Sequence, residues 1–332
     1  PSSLPSLFPS SFSSMAQFFD SPPKFALVTG VSDKLTPDGR QQIGQAVAEV
    51  LAKENYIVFV VCDAAVVLAD TVKTMREYSP RKGILEGPKY PKFGGQLVDM
   101  NDVDSVRRII RSITAYEYDL VIFNLHFDPD QSTFPNEPLS MAFKVNILNH
   151  WLIASAVKEK GNPRFVILPS VPKGLSTPLT LWGPTESLPL NRDAIDEFFR
   201  ATRIGRNAHY YTRLAAIAMG EVLRKRGLMT CTMYPDDVEW YHRPITEYRL
   251  GEALFTLIIY LSSFLPRRMT DGVFYVPEFG KGVNPWARKV LRSAIRREVE
   301  RGRWLRGEER LEHGLTDTQI DMFGRYLDNY SN

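Results

Sequence analysis

Short apolar runs alternate along this chain with longer stretches in which apolar positions recur every three or four residues. Residues 25–29 (FALVT), 56–62 (YIVFVVC), 95–98 (GQLV), 120–124 (LVIFN), 164–168 (RFVIL), 228–233 (LMTCTM) and 272–276 (GVFYV) read as strands. The spacing predicts helices over 43–53, 64–77, 103–114, 141–159, 208–226 and 250–264. Strands that are apolar along their whole length belong in a sheet covered on both faces, and helices between consecutive strands make that sheet parallel. Right-handed crossovers then give an α/β, doubly wound, Rossmann-like arrangement with ligands at the carboxyl ends of the strands. The expected organisation is a disordered or extended leader over 1–23, one domain over 24–280 and a helical, basic amphipathic C-terminal extension over 281–332. There is no internal repeat.

Composition changes this picture little. With 332 residues, 44% hydrophobic and 24% charged, the chain is long enough for a substantial core. A net charge of +3 is too small to imply nucleic acid, and no nucleic-acid partner is expected. Cys62 and Cys231 each lie inside an apolar strand, which suits buried reduced thiols rather than a disulfide framework. The five histidines have no ligand spacing, so no metal is expected. The longest apolar run, 254–265, is shorter than the roughly 18–20 residues of a spanning helix.

The chemistry begins at the first strand–turn–helix. Gly30 ends the first strand and Gly44 opens the next helix, whose free amides make a natural phosphate site. A structural glycine at such a turn is equally common, so the pair gains meaning only from the segments later in the chain. LVTG (27–30) with IGQAVAEVLA (43–52), LVDMNDVDSV (97–106), VNILNHWLIASAV (145–157), RFVILPS (164–170) and HYYTRLAAIAMGEVLRKR (209–226) occur in that order. This order resembles the short-chain dehydrogenase/reductase family, in particular its retinol-dehydrogenase-like branch, over about residues 25–276. The corresponding family patterns are TGxxxGIG, the segment whose Asp lies beside adenine, VNHLGHFLLT, the strand ending in the catalytic Ser, and YxxSKLANxLxxxELxxRL.

The resemblance implies a dinucleotide cofactor, NAD(H) or NADP(H), held around Gly30, Gly39, Gly44, Asp63, Asp99 and Asn124. A carboxylate at Asp63, ending the second strand, favours NAD(H), because it bonds a ribose 2′-hydroxyl and repels a 2′-phosphate; a surface turn Asp is the plain alternative. The resemblance also places a catalytic tetrad at Asn146, Ser170, His209 and Arg213, with Tyr210 as the fallback acid. His209 and Arg213 stand where the family has Tyr and Lys. Histidine is a competent acid near neutral pH. Arg213 one turn away disfavours its imidazolium, and its fork is bulkier than a lysine. Tyr210 lies three residues before Arg213 and roughly on the same face.

Other departures bear on the cofactor. Twelve residues, VSDKLTPDGRQQ, separate Gly30 from Ile43 where the family has a much shorter run. Gln42 replaces the middle glycine unless Gly39 takes its role. The family's NNAG reads Phe123-Asn124-Leu125-His126, putting bulk where ribose would pass, and Asp236 comes after Pro235 near the expected nicotinamide. These changes leave open that no cofactor binds.

Residues 285–311 carry nine Arg or Lys against four Glu, with apolar positions at helical spacing. Such a helix packs on its own domain, lies on an anionic membrane surface, or docks on a partner subunit with Trp286 and Trp304 as anchors. Residues 315–330 are again apolar enough to need a surface. The leader, rich in Ser, Pro, Leu and Phe over residues 1–14, reads either as the remnant of an organelle-targeting segment or as a plain disordered leader with Met15 as the start. Two functions are carried forward. One is a short-chain dehydrogenase/reductase-like protein with a degraded active site, serving as an accessory or structural subunit of a larger assembly through its N- and C-terminal extensions. Its compartment would be an organelle, mitochondrion first and chloroplast second, and otherwise the cytoplasm, without secretion. The other is an active NAD(P)-dependent oxidoreductase on a lipophilic alcohol or carbonyl, with a His or Tyr acid.

Overall fold

The computed structural model describes residues 24–31, 43–53, 56–79, 94–125, 141–169, 206–235, 272–276 and 315–331. Seven strands form one parallel sheet: β1 (Lys24–Val31), β2 (Tyr56–Cys62), β3 (Gly94–Leu97), β4 (Leu120–Leu125), β5 (Arg164–Pro169), β6 (Thr230–Pro235) and β7 (Gly272–Val276). Their order in the sheet is β3-β2-β1-β4-β5-β6-β7. The chain reverses its direction of travel between β1 and β4, the switch point at which open α/β sheets leave a crevice. The predicted strands are all present. The helix predicted over 250–264 and the basic segment 285–311 lie outside the described residues.

Each strand forms because its residues suit burial on both sides. All six residues of β4 are buried, as are all but the first two of β1. Three helices link the first four strands: α1 (Ile43–Lys53), α2 (Ala65–Tyr78) and α3 (Val103–Ile113). Asp102 caps α3, its side chain accepting from the Asp104 amide at 3.0 Å. The next helix, α4, covers 141–158 but is not uniform. It begins as Met141–Phe143, widens into a π-turn over Lys144–Leu148 and continues as Asn149–Lys158. Next comes α5 (Arg206–Lys225), against β5, β6 and the π-turn. Gly220 permits this approach: a Cβ there would stand 2.5 Å from Thr232 Oγ1.

The last helix, α6 (Asp317–Ser331), starts with a capping box. Gln319 N donates to Thr316 Oγ1 at 3.3 Å, and Gln319 Oε1 accepts from Thr316 N at 2.8 Å. Its apolar stripe, Ile320, Phe323, Tyr326 and Leu327, joins the main core with Phe143, Trp151, Leu214 and Val222. Each such side chain contributes roughly 1.5–3 kcal/mol on burial. Gly324 sits where a Cβ would be 3.1 Å from Val222, so α5 and α6 pack closely. Arg226 grips Asp328 with two bonds, 3.0 and 2.6 Å, while its guanidinium lies 4.8 Å from the Trp151 ring centre.

Candidate functional site

The carboxyl ends of β1, β2, β3 and β4 lie side by side and gather most of the described residues expected to matter. Gly30 has φ of +69°. Its neighbourhood is a bulge: Val28 pairs with Val60, but Val31 pairs with Cys62, so β1 carries one residue more than β2 there. Only glycine takes this left-handed conformation without strain. Gly44, in the first turn of α1, comes so close that a Cβ would sit 2.5 Å from the Gly30 carbonyl oxygen and 3.2 Å from Asn124 Nδ2. Asn124 completes the triangle by donating to the same carbonyl oxygen at 3.0 Å. Thus the predicted Gly30, Gly44 and Asn124 are brought together. Gly39 lies outside the described residues.

Asp63 comes directly after β2 and is exposed. Asp99, also exposed, lies two residues beyond β3, in a loop closed by its own groups. Its Oδ1 accepts from Asn101 N at 2.8 Å, its carbonyl oxygen accepts from Asp102 N at 3.1 Å, and its amide donates to Ser105 Oγ at 3.1 Å. Since Val31 registers with Cys62 and Cys62 with Leu97, both carboxylates belong to the same sheet end as Gly30. Leu125, read from the sequence as bulk in the path of a ribose, is 1% exposed and packs into the core cluster. Its volume is taken up beneath the site. His126, Gln42 and Asp236 lie outside the described residues.

Asn146 is fully buried in the π-turn, which borders α5. A π-turn inserts a residue into a helix and often marks a functional position. His209, Tyr210 and Arg213 lie on α5, with side chains outside the described set, and Ser170, next after β5, is outside it altogether.

Two polar links were not legible as function in the sequence. His150 is 2% exposed and bridges β1 to the π-turn. Its Nδ1 lies 2.8 Å from Val145 O, and its Nε2 lies 2.8 Å from Thr29 Oγ1. A carbonyl only accepts, so in the neutral ring Nδ1 carries the proton and Nε2 accepts from the Thr29 hydroxyl. Phe123 meets the imidazole edge-on at 5.0 Å. Thus the residue before Gly30 is tied to the residue before Asn146. The second link is Asn149, which donates to Met100 O at 2.6 Å and accepts from the Tyr330 hydroxyl at 3.2 Å. The sequence signal for both was a polar pair, Asn149-His150, set between the apolar runs Ile147-Leu148 and Trp151–Ala154 of the helix.

Among the described residues no group of His, Cys, Asp or Glu could hold a metal ion, and no helix is long and apolar enough to cross a membrane. Cys62 is buried, its Sγ donating to Ala64 O at 3.2 Å. A groove of about 550 Å³ runs between α2 and the edge strand β3, lined by Leu68, Val72, Arg76 and Leu97 among others. None of the predicted site residues lines it.

No protein-family model matches the chain, and no curated protein matches it. Solved structures do. A putative uncharacterized protein from Mycobacterium paratuberculosis is 16% identical with a TM-score of 0.50, over 86% of this chain and 96% of that one. An alcohol dehydrogenase from the archaeon Thermococcus sibiricus, complexed with 5-hydroxy-NADP, is 14% identical with a TM-score of 0.49, over 78% and 100%. A mutant short-chain dehydrogenase/reductase from Serratia marcescens is 15% identical with a TM-score of 0.49, over 76% and 96%. At these identities the likeness is one of fold. The strand order β3-β2-β1-β4-β5-β6-β7, with helices between consecutive strands from β1 to β6, is that of a doubly wound, Rossmann-like α/β fold.

Proposed function

We propose that this chain is a dinucleotide-binding protein of short-chain dehydrogenase/reductase type that has lost the family's proton-transfer pair and works as an accessory subunit of a larger assembly. The observation that carries the binding half is the triangle of Gly30, Gly44 and Asn124. Two of the three glycine roles in a dinucleotide turn are met there: a left-handed residue at the turn, and contact between the first helix and the first strand too close for a side chain. That cradle fits a pyrophosphate at the start of α1, with Asp63 and Asp99 on the adenosine side. A bound nicotinamide would supply hydride chemistry; the chain's own residues would bind and orient it.

The accessory half rests on His209 and Arg213 standing where the family motif has Tyr and Lys. The added terminal segments support it as well. Residues 285–311 suit an acidic partner surface or an anionic membrane surface, and an organellar membrane complex is the host we propose. A second reading, an NAD(P)-dependent oxidoreductase acting on a lipophilic alcohol or carbonyl, is favoured by Asn146, which keeps a buried place in the π-turn beside α5.

Titration of the purified chain with NADH and NADPH, and then assays on lipophilic aldehydes and ketones, separates these readings. The proposal expects saturable binding, tighter for NADH, without turnover. Turnover that His209→Ala abolishes would replace it with the second reading. Absence of binding by either nucleotide would remove the dinucleotide half.

A further inference from the structure

The C-terminal helix and the loop after β3 are far apart in the chain, yet one side chain touches both. Asn149 opens the part of α4 that lies beyond the π-turn and is fully buried. Its Nδ2 donates to Met100 O at 2.6 Å, and its Oδ1 accepts from the Tyr330 hydroxyl at 3.2 Å. An amide turned the other way would set two oxygens against each other at Met100, so the orientation of Asn149 is determined. Burial pushes the Tyr330 hydroxyl above the usual tyrosine range, with Arg107 acting in the opposite direction, so it remains a donor at neutral pH.

Met100 is the residue after Asp99. Its loop is closed internally by the Asp99 bonds to Asn101, Asp102 and Ser105, but those bonds do not fix where the loop stands relative to the crevice. The bond from Asn149 supplies such an anchor. In sheet order the loop lies beyond β2, which lies beyond the β1 turn. A dinucleotide whose pyrophosphate meets the β1 turn directs its adenosine half toward β2 and β3. Tyr330 in turn is held by the docking of α6, through Phe323 and Tyr326 against Phe143 and through Arg226 with Asp328.

We propose that Asn149 is a positioning residue for the adenosine side of the dinucleotide crevice, held in register by Tyr330 from the C-terminal helix. This rests on the dinucleotide reading above. It assigns the last helix a part in the site as well as in the core: docking of α6 and binding of the adenosine half favour each other, and the coupling is reciprocal.

Two variants test it. Tyr330→Phe removes one oxygen from a partly buried side chain and keeps the apolar ring; Asn149→Ala removes both bonds. The first measurement is amide hydrogen exchange at Asn101 and Asp102, which needs no ligand. The second is binding of NADH, 5′-AMP and nicotinamide mononucleotide. Both variants are expected to speed exchange at the two amides. Tyr330→Phe should weaken 5′-AMP and NADH roughly three- to tenfold, the size of one lost hydrogen bond, with nicotinamide mononucleotide unchanged. Wild-type exchange rates at Asn101 and Asp102 in both variants would overturn the proposal. So would unchanged 5′-AMP binding, or an equal loss for 5′-AMP and nicotinamide mononucleotide, which would indicate general loosening. If the unaltered chain binds none of the three ligands, the dinucleotide reading fails and the adenosine assignment falls with it. The exchange arm then still decides whether Tyr330 and Asn149 set the loop.

Discussion

Asn124 Nδ2 donates to the Gly30 carbonyl oxygen at 3.0 Å, tying the end of β4 to the bulged turn that leaves β1 across the switch point of the sheet. The bond spans 94 residues of sequence and is buried. Replacing Asn124 with Ala removes this donor from the Gly30 carbonyl oxygen. The expected cost is about 1–3 kcal/mol, read as a lowered urea midpoint at unchanged slope.

Gly44→Ala tests the same triangle by addition. The new methyl would meet backbone at 2.5 Å, and backbone does not swing aside as a side-chain tip does. Either α1 lifts from β1 or the turn moves. A loss of about 1–3 kcal/mol is expected, together with weaker NADH binding. Stability and affinity both at wild-type level would show that the close contact of Gly44 with Gly30 has no consequence.

His150 gives a third prediction. His150→Phe keeps a ring beside Phe123 but deletes the acceptor for Thr29 and the donor to Val145 O. Destabilisation of about 1–3 kcal/mol is expected from these buried polar groups. The variant should also lose the neutral Nδ1–H tautomer signal that nitrogen-resolved NMR assigns to this residue in the wild type. A wild-type spectrum showing the proton on Nε2 in the neutral ring would contradict the arrangement directly.

Docking of the last helix is measurable at Phe323. This fully buried ring stacks with Tyr326 at 6.2 Å and meets Phe143 at 6.3 Å between centroids. Phe323→Ala should cost about 3–5 kcal/mol, as large-to-small changes in a packed core do. Protease cleavage within 317–331 should accelerate with it. The exposed pair of Lys225 with Asp321 should contribute less than about 1 kcal/mol in a double-mutant cycle.

Alkaline pH should loosen two regions of the molecule. Burial, with Tyr116 beside it, pushes the Tyr118 hydroxyl well above 10.0, and burial raises Tyr330 as well. The bond to Asp321 raises Lys225, the further bond to Asp317 adding to it. Each group holds its proton more tightly folded than unfolded. Its contribution is therefore complete below the unfolded values of 10.0 to 10.5 and declines as pH rises toward the folded ones. Urea midpoints measured from pH 8 to 12 should stay level and then fall above about pH 10. Tyr330→Phe should remove part of that fall.

The period of the apolar positions determined most of the architecture. Runs such as 56–62 and 120–124, apolar at every position, suit only strands covered on both faces, and helical spacing marks 103–114 and 141–159 just as locally. The capping box of Thr316 and Gln319 is equally local, since its partners are three residues apart. Of the candidate site, Gly30, Gly44, Asp99, Asn124 and Asn146 follow from the motifs, and Asp63 from its place at the end of the second strand.

Tertiary structure decided what those residues touch. Thr29 and His150 are 121 positions apart, and Asn149 and Tyr330 are 181 apart. No periodicity encodes such pairs, because they exist only once strand order and helix docking have set the elements side by side. The same holds for Leu125, whose bulk the sequence placed in a ribose path and the packed core absorbs. Local pattern selects elements through which faces must leave water. Contacts between elements depend on how all of those faces are buried at once.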